Sequence, residues 1–372
     1  MKVFVVFGTR PEAIKMCPLV LELKKNNNIE CVVCLTGQHR EMLQQVMDVF
    51  QIKEDYNLDI MRDRQTLTTI TTSILEKMEP LLKAEKPDVV LVHGDTTTSY
   101  AAALAAFYQQ IPVGHVEAGL RTGDIYSPFP EEMNRLLTDR ISTYFFAPTE
   151  QNKKNLVAEG LHKNIYVTGN TVIDAFAYTV QEQYIFHEAI LNQIDYEKKQ
   201  VILVTAHRRE NLGKPLENIC KAILKVAQEY PNTVFVYPVH LNPAVRETVF
   251  LILGEQSNIL LIDPIDVLDM HNLLSRCYMV MTDSGGIQEE APHFGKPVLV
   301  LRTETERPEA VEAGTVKVVG VNDDNIFKET KKLLEDTKSY EEMAKAVNPY
   351  GDGQASKRIV YALSSFYFEE KR

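Results

Sequence analysis

The chain has 372 residues, 45% hydrophobic and 24% charged, with 40 basic against 51 acidic side chains and a formal net charge of −11. That balance argues against a disordered chain and against a basic nucleic-acid coat, while the length suits two domains of roughly 150 to 200 residues. No apolar run approaches the roughly 20 residues of a membrane span.

In chain order, Val3–Phe7 is a first strand that runs straight into Gly8-Thr9-Arg10 with no cleavage-like site, so it is not a signal peptide and a cytoplasmic location is expected. Ile29–Leu35, Val89–Val92, Ile111–Val116 and Tyr144–Ala147 read as further strands. Helical periods fill the gaps at Ala13–Lys25, Glu41–Phe50, Leu67–Leu82, Ser99–Gln109 and Glu131–Arg140. After a helix-like stretch from Asp174 to about Gln200 the rhythm resumes. Strands are expected at Val201–Val204, Val234–Tyr237, Ile259–Ile262, Tyr278–Met281 and Val298–Leu301, then a last helix at Ser356–Phe368. Strands apolar at nearly every position, separated by helices, predict parallel sheets covered on both faces. Two such series predict two doubly wound α/β domains, 1–172 with 354–372 packing back on it, and 173–353. Five cysteines, an odd number, argue against a disulfide framework. Cys31 and Cys34 stand three apart on one strand and point to opposite faces, so both are expected as plain thiols.

Ligands of open parallel sheets sit beyond the carboxyl ends of the strands, and the polar strings of this chain fall there. Gly8-Thr9-Arg10-Pro11-Glu12 follows the first strand. Thr9 and Glu12 read as a capping box with Pro11 in the first turn; that leaves Arg10, with Lys15 one turn on, as a candidate phosphate ligand. Asp95 follows the third strand and can serve either acid–base chemistry or the cap of the helix after it. Glu117 ends an apolar strand, where partial desolvation is expected to raise its pKa for acid–base work. Glu131 opens a helix, four residues before Arg135, so an ordinary surface pair competes with a catalytic role.

In the second half His207 and Arg208 follow a strand, as does His240, with a charged solvated loop as the competing reading. Ser284-Gly285-Gly286 lead into a helix expected over Ile287–His293. Exposed N–H groups and glycines there suit a diphosphate, with Ser284 as a simple helix cap the alternative. Glu290, about one and two-thirds turns past Ser284, can face back toward a ribose. His93-x-Asp95 and His115-x-Glu117 resemble metal pairs but have no third ligand at a recognisable spacing, so no metal is expected. No cofactor is expected either, because dinucleotide, Walker and nucleophile-elbow signatures are all missing.

Together the strings GTRPEAIKM, TGQHREM, HGDTTTS, GHVEAGLRTGD, PFPEEMNR, VTGNTVIDA, AHRREN, TDSGGIQEEAP, GKPVLV and TERPEA, running from Gly8 to Gly320, resemble the bacterial non-hydrolysing UDP-N-acetylglucosamine 2-epimerases. The resemblance implies a GT-B-like fold of two Rossmann-like domains with a central cleft and a C-terminal helix crossing back to the first. It also implies a homodimer that interconverts UDP-N-acetylglucosamine and UDP-N-acetylmannosamine by way of UDP loss, for surface polysaccharide synthesis. Asp95, Glu117, Glu131 and His207 match the family's catalytic positions. Arg10, Lys15, Ser284, Gly285, Gly286, Glu290 and Arg307 match positions that bind the uridine diphosphate, and Arg208 and His240 join them as candidates. Gln38, Arg64 and Gln65 match a second, activating site, although Glu41 stands where some members carry Gln. A hydrolysing relative, a glycosyltransferase of the same fold and a non-catalytic UDP-sugar sensor are the rival readings.

Overall fold

The computed structural model describes residues 1–37, 40–62 and 65–370, and the chain divides into two compact units, Met1–Tyr178 with Tyr350–Arg372, and Thr179–Pro349. The first unit alternates β1 (Lys2–Phe7), α1 (Arg10–Lys24), β2 (Glu30–Leu35), α2 (Arg40–Val49), β3 (Tyr56–Asn57), α3 (Leu67–Glu85), β4 (Val89–His93) and α4 (Thr97–Tyr108). It continues with β5 (Val113–Val116), α5 (Glu131–Ile141), β6 (Tyr144–Ala147), α6 (Glu150–Ala158), β7 (Ile165–Val167) and α7 (Thr171–Thr179). All seven strands run parallel in the order β3-β2-β1-β4-β5-β6-β7. The chain reverses its winding between β1 and β4, the crevice at which doubly wound sheets place their ligands.

In the second unit come β8 (Gln200–Thr205), α8 (Lys214–Glu229), β9 (Thr233–Pro238), α9 (Pro243–Leu253), β10 (Ile259–Ile262), α10 (Val267–Arg276) and β11 (Met279–Thr282). They are followed by α11 (Gly285–Glu290), β12 (Val298–Val300), α12 (Pro308–Glu312), β13 (Val316–Val318), α13 (Asp323–Glu335) and α14 (Thr337–Ala344). The order is β10-β9-β8-β11-β12-β13, so the winding reverses between β8 and β11. α15 (Ala355–Glu370) then packs on α1 in the first unit. Its first turn is fixed there by Asp174, whose carboxylate accepts the N–H groups of Ala355 (3.1 Å) and Ser356 (2.7 Å). This is the helix expected to return.

Apolar runs make these strands because both sheet faces are covered: Val3 to Phe7 and Val201 to Val204 are all buried. Side chains of β1, β2 and β4 meet α3 and α4 in one core, and those of β8, β9 and β11 meet α8 and α9 in the other. All five cysteines are free, and burial pushes Cys31 and Cys34 up to about 12. Among the described residues no helix is long and apolar enough to cross a membrane.

The stretch read as helical from Asp174 to about Gln200 is corrected. α7 stops at Thr179, and only a 3-10 turn, Ala189–Gln193, follows before β8. Side chains of α10 capture the backbone that a helix would have used. Asp269 accepts the N–H groups of His187 and Glu188, both at 2.9 Å, and Asn272 accepts that of Gln181 at 3.0 Å. The helix expected over Ile287–His293 starts two residues earlier, at Gly285, and gives way to a 3-10 turn from Ala291. Pro292 has no N–H to continue it.

Candidate active site

In the first unit the candidate residues gather on the loops after β1, β4 and β5. The capping box is real: Thr9 accepts the N–H of Glu12 (3.4 Å), and the Glu12 carboxylate accepts those of Thr9 (2.7 Å) and Gly8 (2.8 Å). Arg10 is the first residue of the helix so capped. One turn on, the Lys15 ammonium lies on Oε2 of Glu117.

Glu117 immediately follows β5 at φ +68°, a left-handed conformation that costs a non-glycine residue roughly 1–3 kcal/mol. Two bonds to β6 hold it: the N–H groups of Glu117 (3.0 Å) and Ala118 (3.1 Å) both donate to the Phe146 carbonyl. Gly119 completes the turn at φ +86°, where a Cβ would stand 2.3 Å from the Asn152 carbonyl oxygen. The carboxylate is therefore forced inward, and its side chain is 12% exposed.

The sign of its pKa shift is opposite to the sequence expectation. Burial does push the Glu117 carboxyl up, but the charge of Lys15 and then of the neighbouring His93 outweighs it and holds the group well below the usual carboxylate range. His93 Nε2 stands 3.5 Å from Oε2, an ion-pair distance without hydrogen-bond geometry.

Asp95 does not cap α4; that helix begins on Thr96, whose hydroxyl accepts the Ser99 N–H at 3.1 Å. The Asp95 carboxylate instead receives Arg135 (2.5 Å), and the Asn134 amide donates to its carbonyl at 2.9 Å. These bonds tie α5 to the β4 loop, and Glu131 is the first residue of that helix. Arg135 pairs with Glu132 (2.8 Å) and Asp95, so the expected Glu131–Arg135 pair gives way to a buried i,i+3 contact. Behind the two loops, His115 spans from Asp139 (2.6 Å) to the Gly94 carbonyl (2.7 Å) and fixes β5 to the β4 turn.

In the second unit Asp283 is the organiser. Its fully buried carboxylate accepts the N–H groups of His207 and Arg208, both at 2.8 Å, and the Asn211 amide at 3.0 Å. The loop after β8 is thereby pinned to the end of β11. His207 stacks on His240, with centroids 5.1 Å apart and planes within 5°. Burial pushes the His207 imidazole below its ordinary value; Asp283 opposes this, and His240 and Arg208 reinforce it.

Ser284 makes no side-chain cap to α11, so the simple capping reading does not hold. A Cβ built on Gly285 would stand 3.5 Å from Arg307 Nη2 and 3.8 Å from Arg208 Nη2, which brings two guanidinium groups over the same helix start. Glu289 holds Arg307 (2.5 Å) and Glu306 holds Arg208 (3.3 Å). Glu290 turns back toward Gly286, 3.4 Å from that residue's notional Cβ, and pairs with the buried His271 at 3.7 Å.

Gln38 and Arg64 lie outside the described residues; the Gln65 amide donates to the Ile60 carbonyl. Among the described residues His187, Asp266 and Asp269 cluster like metal ligands. However, Asp269 already accepts the Tyr184 hydroxyl and two N–H groups, and Asp266 faces His187 Nδ1 at 2.7 Å. The sequence reading missed Asp283, Glu289, Glu306 and His271 as supports. Their neighbours in the motifs were the visible signal, but the partners lie up to 98 residues apart.

The sequence pattern of the UDP-N-acetylglucosamine 2-epimerase family matches residues 21–364. The chain is similar to the UDP-N-acetylglucosamine 2-epimerase of Bacillus subtilis, 55% identical over 368 residues that cover 99% of this chain and 96% of that protein. It is also similar to the solved UDP-GlcNAc 2-epimerase of Neisseria meningitidis bound to UDP-GlcNAc, with a TM-score of 0.90, 53% identity, and coverage of 98% of this chain and 100% of that one. The Methanocaldococcus jannaschii UDP-GlcNAc 2-epimerase, solved with UDP-GlcNAc and UDP, matches at a TM-score of 0.80 and 35% identity, over 98% of this chain and 100% of that one. Two parallel-sheet α/β units of GT-B-like type, a family pattern matched over residues 21–364 and relatives more than half identical over nearly the whole chain place this chain in the UDP-N-acetylglucosamine 2-epimerase family.

Proposed function

We propose that the chain interconverts UDP-N-acetylglucosamine and UDP-N-acetylmannosamine by eliminating and re-adding UDP. The C2 hydrogen of the sugar is not next to a carbonyl, so direct deprotonation is too costly near neutral pH. Loss of the anomeric diphosphate makes it removable. The C2–H pair forms the C1=C2 bond of a 2-acetamidoglycal, the C1–O pair leaves on the phosphate, and the proton passes to a carboxylate. Re-addition of UDP with protonation from the other face completes the inversion.

One observation carries this reading: Glu117 is a desolvated carboxylate kept ionised by Lys15 and His93 beside a sheet switch point. Such a group is unprotonated at rest and placed to take a proton as a general base; its depressed pKa lowers its intrinsic basicity, so position supplies the advantage. Asp95 and Glu131, from the same edge, are the candidates for the opposite face. In the second unit Ser284, Gly285, Gly286, Arg208 and Arg307 supply donors and fixed positive charge for the departing diphosphate. His207 and His240 stand beside them, and Glu290 supplies an acceptor for ribose hydroxyls. Arg10 and Lys15 are further candidates for the phosphates, and the Gln38, Arg64 and Gln65 positions for an activating UDP-N-acetylglucosamine. The enzyme acts as a cytoplasmic homodimer and feeds surface polysaccharide synthesis, without a cofactor.

Incubation with UDP-N-acetylglucosamine in heavy water tests the scheme. The epimer and deuterium at C2 should appear together. Binding without C2 exchange removes the enzyme reading in favour of a sensor, and free N-acetylmannosamine as the product assigns the chain to hydrolysis instead.

A further inference from the structure

Three groups crowd one oxygen of Glu117. Lys15 from α1, His93 from the end of β4 and the Asn170 amide (3.0 Å) all face Oε2, while Oε1 lies toward Gly94, 3.7 Å from that glycine's notional Cβ. Asn170 is 2% exposed and is itself held tightly. Its N–H donates to the Tyr350 carbonyl at 2.7 Å, where the returning chain passes so close to Gly169 that a Cβ there would stand 3.2 Å from the Tyr350 oxygen. Its side-chain oxygen accepts the Val172 N–H at 3.1 Å, at the start of α7. That bond decides the amide's orientation: the oxygen must face Val172, so the NH2 must face the carboxylate.

We propose that Asn170 is the positioning residue of Glu117, clamping Oε2 so that Oε1 is the atom that exchanges the proton with the sugar. The inference rests on the acid–base role given to Glu117 above. A neutral donor on the carboxylate favours its charged form and fixes its torsion, two effects that a helix cap alone does not have. The other titratable groups around the carboxylate are Lys15 and His93, with Asp95 two residues beyond His93 and held in turn by Arg135.

Asn170→Asp separates the two roles. It keeps the oxygen that caps α7 and sets a second carboxylate against Oε2, so the shared site should titrate at higher pH. The expected result is a folded protein whose kcat falls by about 10- to 100-fold with KM little changed, and whose acid limb of kcat moves up by more than about one pH unit. Asn170→Ala should move the limb less and also lower the unfolding midpoint through loss of the cap. Wild-type kcat and an unmoved limb in Asn170→Asp overturn the inference while leaving the epimerase reading intact. If the wild-type protein does not turn over, the epimerase reading fails by itself. The Glu117 carboxyl, followed by carbon-13 NMR with Glu117→Gln as the assignment control, then decides the inference: an unshifted titration in Asn170→Asp overturns it.

Discussion

Replacing Glu117 with Gln keeps the shape of the side chain and removes its charge. Lys15 and Glu117 are 14% and 12% exposed, so solvent screens their attraction little. Two unit charges about 4 Å apart interact by about 4 kcal/mol at an effective dielectric near 20. Breaking a buried pair on one side typically costs about 3–5 kcal/mol, because the remaining charge stays desolvated. The variant should therefore lose about 3 kcal/mol of stability at pH 7, and turnover should fall by about 10² to 10⁴-fold, the scale of a positioned acid–base group.

The pH dependence has a definite sign. The folded pKa of Glu117 is depressed, so its contribution is full above the unfolded carboxyl value of about 4.3 and fades as the pH falls through the folded value. Urea unfolding of both proteins between pH 7 and pH 3, followed by circular dichroism, should show the gap narrowing toward the acid end. A gap that is missing at pH 7 refutes the ion pair. Near-normal epimerisation removes Glu117 from the chemistry.

Gly285→Ala should leave the unfolding midpoint unchanged or slightly raised, since its Cβ meets Arg307 and Arg208 only at 3.5 and 3.8 Å and alanine favours a helix by about 1 kcal/mol. The same methyl obstructs a phosphate at that helix start, so calorimetry should show UDP binding weakened by about tenfold or more; unaltered affinity argues against diphosphate binding there. Gly119→Ala should cost several kcal/mol, on the order of large strain and clash effects, because φ is +86° and the added carbon lies 2.3 Å from a carbonyl oxygen; a protein as stable as the parent by denaturation disproves that account of the turn. His240→Ala removes the ring stacked on His207 and one of the groups depressing its pKa. The His207 ring should then titrate at higher pH by proton NMR, and an unchanged value denies the coupling.

The strands that were legible in the sequence are those apolar on both faces. β3, β7 and β13 escaped because they are two or three residues long and lie at the ends of their sheets. An edge strand needs only one neighbour, so Tyr56–Asn57 and Val316–Val318 carry no continuous apolar run. The candidate site residues were legible by position, since a polar string after a buried strand has few structural reasons to be there. Their partners were not. Lys15 lies 102 residues from Glu117, Asp95 40 from Arg135 and His207 76 from Asp283, and none of these spacings leaves a periodic trace.

The missed sign at Glu117 follows from this. Burial of a carboxylate can be inferred from the apolar strand before it, and burial alone raises the pKa. Whether the group is nonetheless ionised depends on which cation the fold sets against it. Here a lysine from α1 and a histidine from β4 converge on one oxygen because β4 lies between β1 and β5 in the sheet. A carboxylate held ionised by its surroundings rests without a proton, so it begins a turnover as the acceptor and returns that proton only when the reaction runs backward. On the proposed scheme inversion at C2 places the second proton on the opposite sugar face, out of reach of Glu117, which makes Asp95 on the β4 loop and Glu131 at the start of α5, two segments tied together through Arg135 and Asn134, the side chains to probe next.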